Sequence, residues 1–253
     1  MFVPHGQAAL KGAFGMLSPQ EREKKKGVFA KALRSGGNAD TQKYLELYGD
    51  FSQNGYSREL AESYAAAFVD DRKKPLPEDI LQTARLYEKV HDYKTAEFYL
   101  EMLADKKLSG DDKFIYCINC LSVKSKQGHW RDAEDFRTEN INFMQKHSEK
   151  VDMDLRADLY IALALADCAA KHYAQGFKLL MGFGYKPKGK NDLKLLDILI
   201  TGIYICSLTD NEWTVYNAVS NAHGAMRLIT EYEHPWLEDY YEQRINDASE
   251  GII

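Results

Sequence analysis

Apolar and polar positions along the chain follow a helical period. Apolar residues recur three and four positions apart on one stripe, as Val28, Phe29, Ala32 and Leu33 do, and polar turns separate such segments. No segment of the sequence has the sustained two-residue alternation that is typical of a half-buried strand. The pattern therefore predicts an all-α protein whose helices are joined by short polar turns.

One local pattern occurs three times in the middle of the chain. Each copy has a polar turn, then an aromatic residue, then a small residue three positions later, at Tyr93 and Ala96, Trp130 and Ala133, and Tyr173 and Gly176. Two helices approach closely only where a side chain is small, so we expect the small residues at helix contacts. The aromatic residues are expected to pack against the adjoining unit. Such a recurrence predicts a stack of helix–turn–helix units.

The predicted helices form consecutive pairs. The pairs are Asp40–Ser52 with Arg58–Val69, Glu78–Val90 with Tyr93–Ala104, Phe114–Gln127 with Trp130–Met144, and Asp154–Ala170 with Tyr173–Met181. They correspond to repeat units over residues 42–75, 77–108, 114–147 and 157–188. Before them, residues 1–17 form an N-terminal arm without a clear period, and a helix is predicted over Pro19–Arg34.

Three further helices are predicted after the repeats, over Asp192–Leu208, Asp210–Ile229 and Pro235–Ala248. The first of them is the most apolar helix of the chain. The last is rich in charged and amide side chains, as expected for a helix whose outer face meets water. We therefore predict a polar C-terminal cap over residues 190–253, which completes a single domain over residues 18–253.

The pattern around Glu78–Ala104 resembles the tetratricopeptide repeat. That family pairs a small residue in the first helix with a small and an aromatic residue in the second, here Ala84 with Ala96 and Tyr99. The likeness covers about residues 41–188, although its copies are offset by 37 and 43 residues rather than by about 34. The resemblance implies a right-handed α–α superhelix (a TPR-like solenoid) of about four to five helix pairs.

The resemblance also implies where a partner binds. Proteins with such repeats use a concave surface that is lined by the first helix of each pair. The predicted residues of this groove face are Lys43, Glu46, Asp50, Glu78, Leu81, Arg85, Glu88, Lys89, Ile118, Ser122, Lys126, Asp158, Ile161 and Leu165. Chaperone-binding members of the family hold a C-terminal carboxylate with Lys and Asn in the first unit. Glu46 and Asp50 stand there instead, and their charge argues against that class of ligand.

Cysteine and histidine residues offer candidate chemistry, but each has a simpler interpretation. Cys117 and Cys120 share one helix face, as half of a zinc or redox site would. In the repeat frame both point inward, so packing thiols are favoured over metal or redox chemistry. His91, His129 and His172 recur near the turns of units that are about 8–10 Å apart, whereas zinc ligands converge within about 2 Å of one ion. No metal, cofactor or catalytic group is therefore predicted.

Composition narrows the class of partner. The chain of 253 residues has a net charge of −5, with 38 acidic against 33 basic residues, which argues against nucleic-acid binding. No apolar run approaches the roughly 18–20 residues that cross a bilayer, so no membrane insertion is expected. The four cysteines favour a reducing, cytoplasmic location. An organellar presequence at the N-terminus stays an alternative.

The sequence taken as a whole predicts a non-enzymatic protein-interaction scaffold or adaptor. Its partner is another protein, which offers a peptide or a helix to the concave groove, either alone or within a larger complex. Two alternatives stay open. One is a peptide-sensing regulatory protein, and the other is a helical enzyme that uses residues around Cys168, His172 or the acidic C-terminal segment.

Overall fold

The computed structural model describes residues 58–70, 72–108, 110–187, 193–209, 212–232 and 238–253. All regular secondary structure within these ranges is helical, which confirms the all-α prediction for this part of the chain. The helices are α1 (Arg58–Ala65, continued by a π-helical turn over Ala66–Asp70), α2 (Pro77–Lys89), α3 (Tyr93–Ala104), α4 (Gly110–Lys126), α5 (Trp130–Ser148), α6 (Met153–Ala169), α7 (Tyr173–Gly182), α8 (Leu193–Ser207), α9 (Glu212–Tyr232) and α10 (Glu238–Ser249).

Several predictions concern residues before this part of the chain. The arm over residues 1–17, the helices Pro19–Arg34 and Asp40–Ser52, and the groove residues Lys43, Glu46 and Asp50 lie outside the described residues. The unit predicted over residues 42–75 is therefore described only in its second helix, α1. The prediction of one α-helix over Arg58–Val69 is wrong at its end, because the chain continues after Ala65 as a π-helical turn.

From α2 onward the helix boundaries are close to those predicted. α3 has both predicted ends, since the Asp92 side chain caps it and accepts a hydrogen bond from the Thr95 N–H at 3.2 Å. α4 begins at Gly110, before the predicted Phe114, and acidic residues occupy its first turn, where the helix dipole favours them. Local sequence signals thus placed most helix ends within a few residues.

The turns inside the pairs α2–α3, α4–α5 and α6–α7 have the same backbone geometry. His91, Gly128 and Lys171 adopt left-handed conformations, with φ of 59°, 75° and 64°. In each turn the N–H of the following residue donates to the carbonyl five residues earlier, at 2.9 Å to Tyr87, 3.1 Å to Lys124 and 2.8 Å to Asp167. This is the Schellman pattern of helix C-termini. The sequence repeat therefore corresponds to three structurally equivalent turns.

The small residues of the repeat lie at helix contacts, as predicted. Ala96 and Ala133 are fully buried. Gly176 lies so close to α6 that an added Cβ would be 2.8 Å from the Ala164 carbonyl oxygen. The aromatic prediction is wrong at one position, because Trp130 is 47% exposed and stacks with Arg131 rather than being covered by the adjoining unit.

The core is divided among neighbouring helices. Four apolar clusters follow one another along the chain, at α1–α4, at α4–α6, at α6–α8 and at α8–α10. The two helices of each pair contact each other, and α2, α4, α6, α8 and α10 also contact in succession. These five helices therefore form a row, and the side chains on one face of the row can approach one another.

Candidate functional site

A cavity of about 50 Å³, here called the central cavity, lies where the helices of this row face one another. Each of the five helices contributes side chains to it. The lining residues are Arg85, Glu88 and Lys89 from α2, Ile115, Ile118, Asn119, Ser122 and Lys126 from α4, Leu155, Asp158, Ile161 and Leu165 from α6, Asp197 and Thr201 from α8, Arg244 from α10, and Ile253.

Most of the described groove residues predicted from sequence meet in this cavity. They are Arg85, Glu88, Lys89, Ile118, Ser122, Lys126, Asp158, Ile161 and Leu165. Two others do not line it: Glu78 is exposed at the start of α2, and Leu81 is 2% exposed within the apolar core. The predicted face is also more deeply covered than an open groove, since Glu88 is 8% and Ser122 is 6% exposed.

The covering elements belong to the C-terminal part of the chain. α8 and α10 bring Asp197 and Arg244 to the cavity, and neither residue was among those predicted. One signal in the sequence points to Asp197: it is an acidic residue within the most apolar helix, where a charge needs partners. No local sequence pattern predicts that Arg244 lines the cavity, because it lies on a helix that is rich in charged residues throughout.

Asp197 contacts three cationic side chains at the cavity wall. Its Oδ1 lies 2.5 Å from Arg244 Nη1 and 3.6 Å from Lys89 Nζ, and its Oδ2 lies 3.7 Å from Lys194 Nζ. Burial alone would raise the pKa of this carboxyl, but the three cations outweigh burial and hold the pKa well below its ordinary value. Asp197 is therefore ionised and joins helices α2, α8 and α10.

A second carboxylate joins α2 to α6. Asp158 Oδ2 accepts from Arg85 Nη2 at 2.9 Å, and its Oδ1 lies 2.5 Å from Lys194 Nζ. Burial opposes ionisation of Asp158, yet Arg85 and Lys194 lower its pKa below the ordinary value. Together with the Lys89–Asp197 pair, this contact ties α2 across the cavity to α6 and α8, past the intervening α4.

The third carboxylate, Glu88, is held by α4. Its Oε1 accepts a hydrogen bond from the Ser122 hydroxyl at 2.5 Å and lies 3.1 Å from Lys126 Nζ. Desolvation raises the pKa of Glu88, but Lys126 and Ser122 more than compensate, so its pKa is lowered. The three carboxylates of the cavity are thus all ionised and each is bonded to cations or hydroxyls of the wall.

A short non-helical segment closes one side of the cavity. After α10 the chain turns at Gly251, which has φ of 80°, and Ile252 and Ile253 lie against the row of helices. The Tyr93 hydroxyl donates a hydrogen bond to the main-chain oxygen of Ile253. Because that proton is committed, His91 Nδ1, 2.8 Å from the Tyr93 oxygen, acts as the donor of their contact.

The remaining sequence candidates do not assemble a reactive site. Cys117 and Cys120 are buried, and burial raises the pKa of their thiols to about 11 and about 12. Cys168 is likewise buried with a pKa near 12, whereas His172 is exposed at its turn. Within the described ranges no three His, Cys, Asp or Glu side chains are grouped so that they could hold a metal ion. We therefore continue to interpret these cysteines as packing residues and this histidine as a turn residue.

Lys89 has an unusual protonation equilibrium. Burial lowers its pKa from 10.5 to about 7, and Arg85, Lys126 and Arg244 add to this effect while Asp197 opposes it. In the unfolded chain the Lys89 ammonium keeps its proton until about pH 10. Between pH 7 and 10 the unfolded chain therefore binds more protons at Lys89 than the folded chain does. The contribution of Lys89 to the free energy of unfolding rises with pH across this window and is constant below it.

We expect the free energy of unfolding to rise by about 0.5–1 kcal/mol from pH 7 to pH 8 because of Lys89. Burial lowers the pKa of His91, so this imidazole titrates below the interval from pH 7 to 8. Burial raises the pKa of the thiols, so their titration lies above the interval, where it opposes the effect of Lys89. Urea titrations of wild type and Lys89→Met at both pH values measure the difference. Lys178→Met, on the exposed face of α7, should keep the wild-type rise; a rise retained by Lys89→Met contradicts the assignment.

Comparison of the chain with protein-family models, curated proteins and solved structures gave no significant match. A separate search of the described residues found no helix that is both long and apolar enough to span a bilayer.

Proposed function

We propose that this chain is a non-enzymatic protein-interaction module, a scaffold or adaptor that holds a peptide segment of a partner protein along the row α2, α4, α6, α8 and α10. The equivalent turns and the succession of paired helices support a TPR-like right-handed superhelix with a C-terminal cap. The free buried cysteines support a reducing, cytoplasmic setting.

The observation that carries this proposal is the segment Gly251–Ile253. It is a non-helical stretch of polypeptide that lies against the row of helices, with a main-chain oxygen bonded to Tyr93 and two branched apolar side chains beside the cavity. The surface therefore already accommodates peptide main chain and apolar side chains. A partner's segment would use the same kinds of contact, beside this segment or in its place.

The size of the cavity limits which form of peptide can bind there. Cavities that enclose a drug-sized molecule measure roughly 300–1,000 Å³, and a helix with its side chains is about 10 Å wide. The central cavity, at about 50 Å³, has room for one small side-chain group. The cross-cavity pairs Arg85–Asp158 and Lys89–Asp197 also keep α2 close to α6 and α8. An extended peptide that inserts single side chains suits this surface better than a helix does.

Selection from a displayed peptide library against the purified chain tests the proposal. Peptides that bind should lose about five- to tenfold in affinity on Ile161→Ala, because this change removes apolar contact from the cavity wall. Met102→Ala, on the outer side of α3, is the matched control and should leave the affinity unchanged. A library that yields no binder, or binders that are indifferent to Ile161, would contradict the proposal.

One observation favours an enzyme as the second candidate. A buried lysine with a pKa near 7 is a competent nucleophile towards carbonyl compounds, and Lys89 lines a cavity. Borohydride trapping with a panel of small aldehydes and ketones, followed by peptide mass spectrometry, tests this candidate. Selective reduction of an adduct at Lys89, absent at Lys178, would favour it over the interaction module.

A further inference from the structure

The segment after α10 leaves that helix through a turn of the same kind as those inside the helix pairs. Gly251 has φ of 80°, and the N–H of Ile252 donates to the Asp247 carbonyl oxygen, five residues earlier, at 2.8 Å. This is again the Schellman pattern. A side chain at Gly251 would strain the left-handed backbone, so the glycine fixes the direction in which the chain leaves α10.

Ile253 has the sequence position that the aromatic residue has in the pair turns. The residue two positions after the left-handed one is Tyr93, Trp130 or Tyr173 in those turns, and it is Ile253 after Gly251. Each of the three aromatic residues begins a helix, whereas the chain at Ile253 is non-helical. The main chain of this segment therefore bonds to the row of helices instead, through the Ile253 oxygen that accepts from Tyr93.

Ile253 is the residue that fixes the segment to the site. It lines both the central cavity and a neighbouring cavity of about 20 Å³, whereas Ile252 lines only the smaller one and is 51% exposed. The site thus receives one branched apolar side chain and one main-chain oxygen from this segment. Bound extended peptides combine the same two contacts, since main-chain hydrogen bonds provide affinity and side chains in pockets provide specificity.

The segment can leave the site without disturbing the helix that carries it. α10 is anchored by Tyr241, Ile245 and Ala248, which are at most 4% exposed in the apolar cluster of α8–α10. The segment after the turn buries much less surface, because about half of Ile252 remains exposed. Elements with few buried apolar contacts open locally at low cost. Release of Ile253 would therefore expose the site while α10 stays packed.

We propose that residues 251–253 are a built-in occupant of the partner site, and that a partner peptide binds by displacing Ile253. The inference rests on the proposed function and adds the chemistry of the ligand to it. The peptide carries a β-branched apolar residue, Ile or Val, in the place of Ile253, and a main-chain oxygen that accepts from Tyr93. Its apparent affinity is reduced by the fraction of molecules whose own segment occupies the site.

The first test compares two neighbouring substitutions in the full chain, with peptides selected from a displayed library as probes. Ile253→Ala should tighten their binding about three- to tenfold, because it weakens the competing segment. Ile252→Ala is the matched control and should keep the affinity within about twofold, since this side chain is half exposed. Unchanged or weaker binding to Ile253→Ala would overturn the proposal, and weaker binding would make Ile253 part of the wall that the peptide contacts.

The second test follows the displacement in the wild-type chain, so that it does not depend on the stability of a variant. The δ1-methyl NMR signal of Ile253 should move to the position of an exposed isoleucine as a selected peptide saturates the chain. The methyl signal of Ile205, which is 1% exposed in the α6–α8 cluster, is the control and should stay in place. An Ile253 signal that stays in place at saturation shows that the peptide binds beside the segment, which would overturn the proposal.

The third test concerns the ligand class. The selected peptides should share a β-branched apolar residue, and replacing it by Ala should weaken binding to the wild-type chain at least about fivefold. Exchange of Ile for Val at that position should change the affinity by less than the exchange for Ala does. Selected peptides without a shared branched residue would contradict the assigned chemistry of the partner.

The failures of the two proposals are distinguishable. Peptides that bind wild type and Ile253→Ala equally, and that leave the Ile253 methyl signal in place, would overturn the built-in occupant while the interaction module stands. A library that yields no binder with either chain would overturn the module, and with it the competition that the segment is proposed to provide.

Discussion

Asp197→Ala is expected to lower the free energy of unfolding by about 3–5 kcal/mol. The substitution removes a carboxylate that contacts Lys89, Lys194 and Arg244, whose side chains are only 13–15% exposed. It also removes the charge that raises the pKa of Lys89, and it leaves the cations Lys194 and Arg244 without this carboxylate. Their mutual repulsion and desolvation then oppose folding, whereas the wild-type carboxylate offsets both.

Urea unfolding at pH 7 measures this effect. Asp135→Ala, an exposed acid on α5, is the matched control and should change stability by less than about 0.5 kcal/mol. Adding Arg244→Met to Asp197→Ala should restore part of the loss, since the double variant removes a cation that stays protonated and has lost its contact with Asp197. If Asp197→Ala were no more destabilising than Asp135→Ala, the ion-pair network would not hold the helix row together.

Gly176→Ala is expected to destabilise the fold by about 1–3 kcal/mol, although alanine is the better helix former. An added Cβ would lie 2.8 Å from the Ala164 carbonyl oxygen and 3.3 Å from both Asp167 Cβ and Cys168 Sγ. The nearest atom is backbone, which cannot rotate away. α6 and α7 would have to separate, and that separation would loosen the apolar cluster between α6 and α8.

A glycine of the same helix provides the control. Gly182, at the end of α7, has no neighbouring atom within 4 Å of an added Cβ. Gly182→Ala should therefore be neutral or stabilise slightly, by up to about 1 kcal/mol, through helix propensity alone. Thermal unfolding followed by circular dichroism compares the two variants. A Gly176→Ala protein as stable as Gly182→Ala would contradict the close contact between α6 and α7.

Helix positions and turns were predictable because their causes are local. A helical period, a capping residue such as Asp92 and a small residue at position 96, 133 or 176 act within a few turns of the chain. The repeat pattern also predicts that nine residues of three helices share one face, and the structure brings those nine to one cavity. Their role as a partner-binding site stays a prediction.

The closure of that cavity could not be predicted in the same way. Asp197 and Arg244 are 47 residues apart, and whether α8 and α10 come to lie beside the faces of α2, α4 and α6 depends on the packing angles of the helices between them. Small differences in those angles, such as those set by the close contact at Gly176, change where the later helices lie. The exposure of Trp130 also depends on how neighbouring helices pack, so the periodic pattern does not predict it.

Periodicity, capping and residue size operate locally, so the all-α class, the helix pairing, the recurring turns and the identity of one side-chain face follow from the residue pattern alone. Contacts between distant helices place Asp197, Arg244 and the segment Gly251–Ile253 over this face and make it a partly covered, charged cavity rather than an open groove. Ion pairs between α2 and helices α6 and α8 depend on distances that no local pattern encodes.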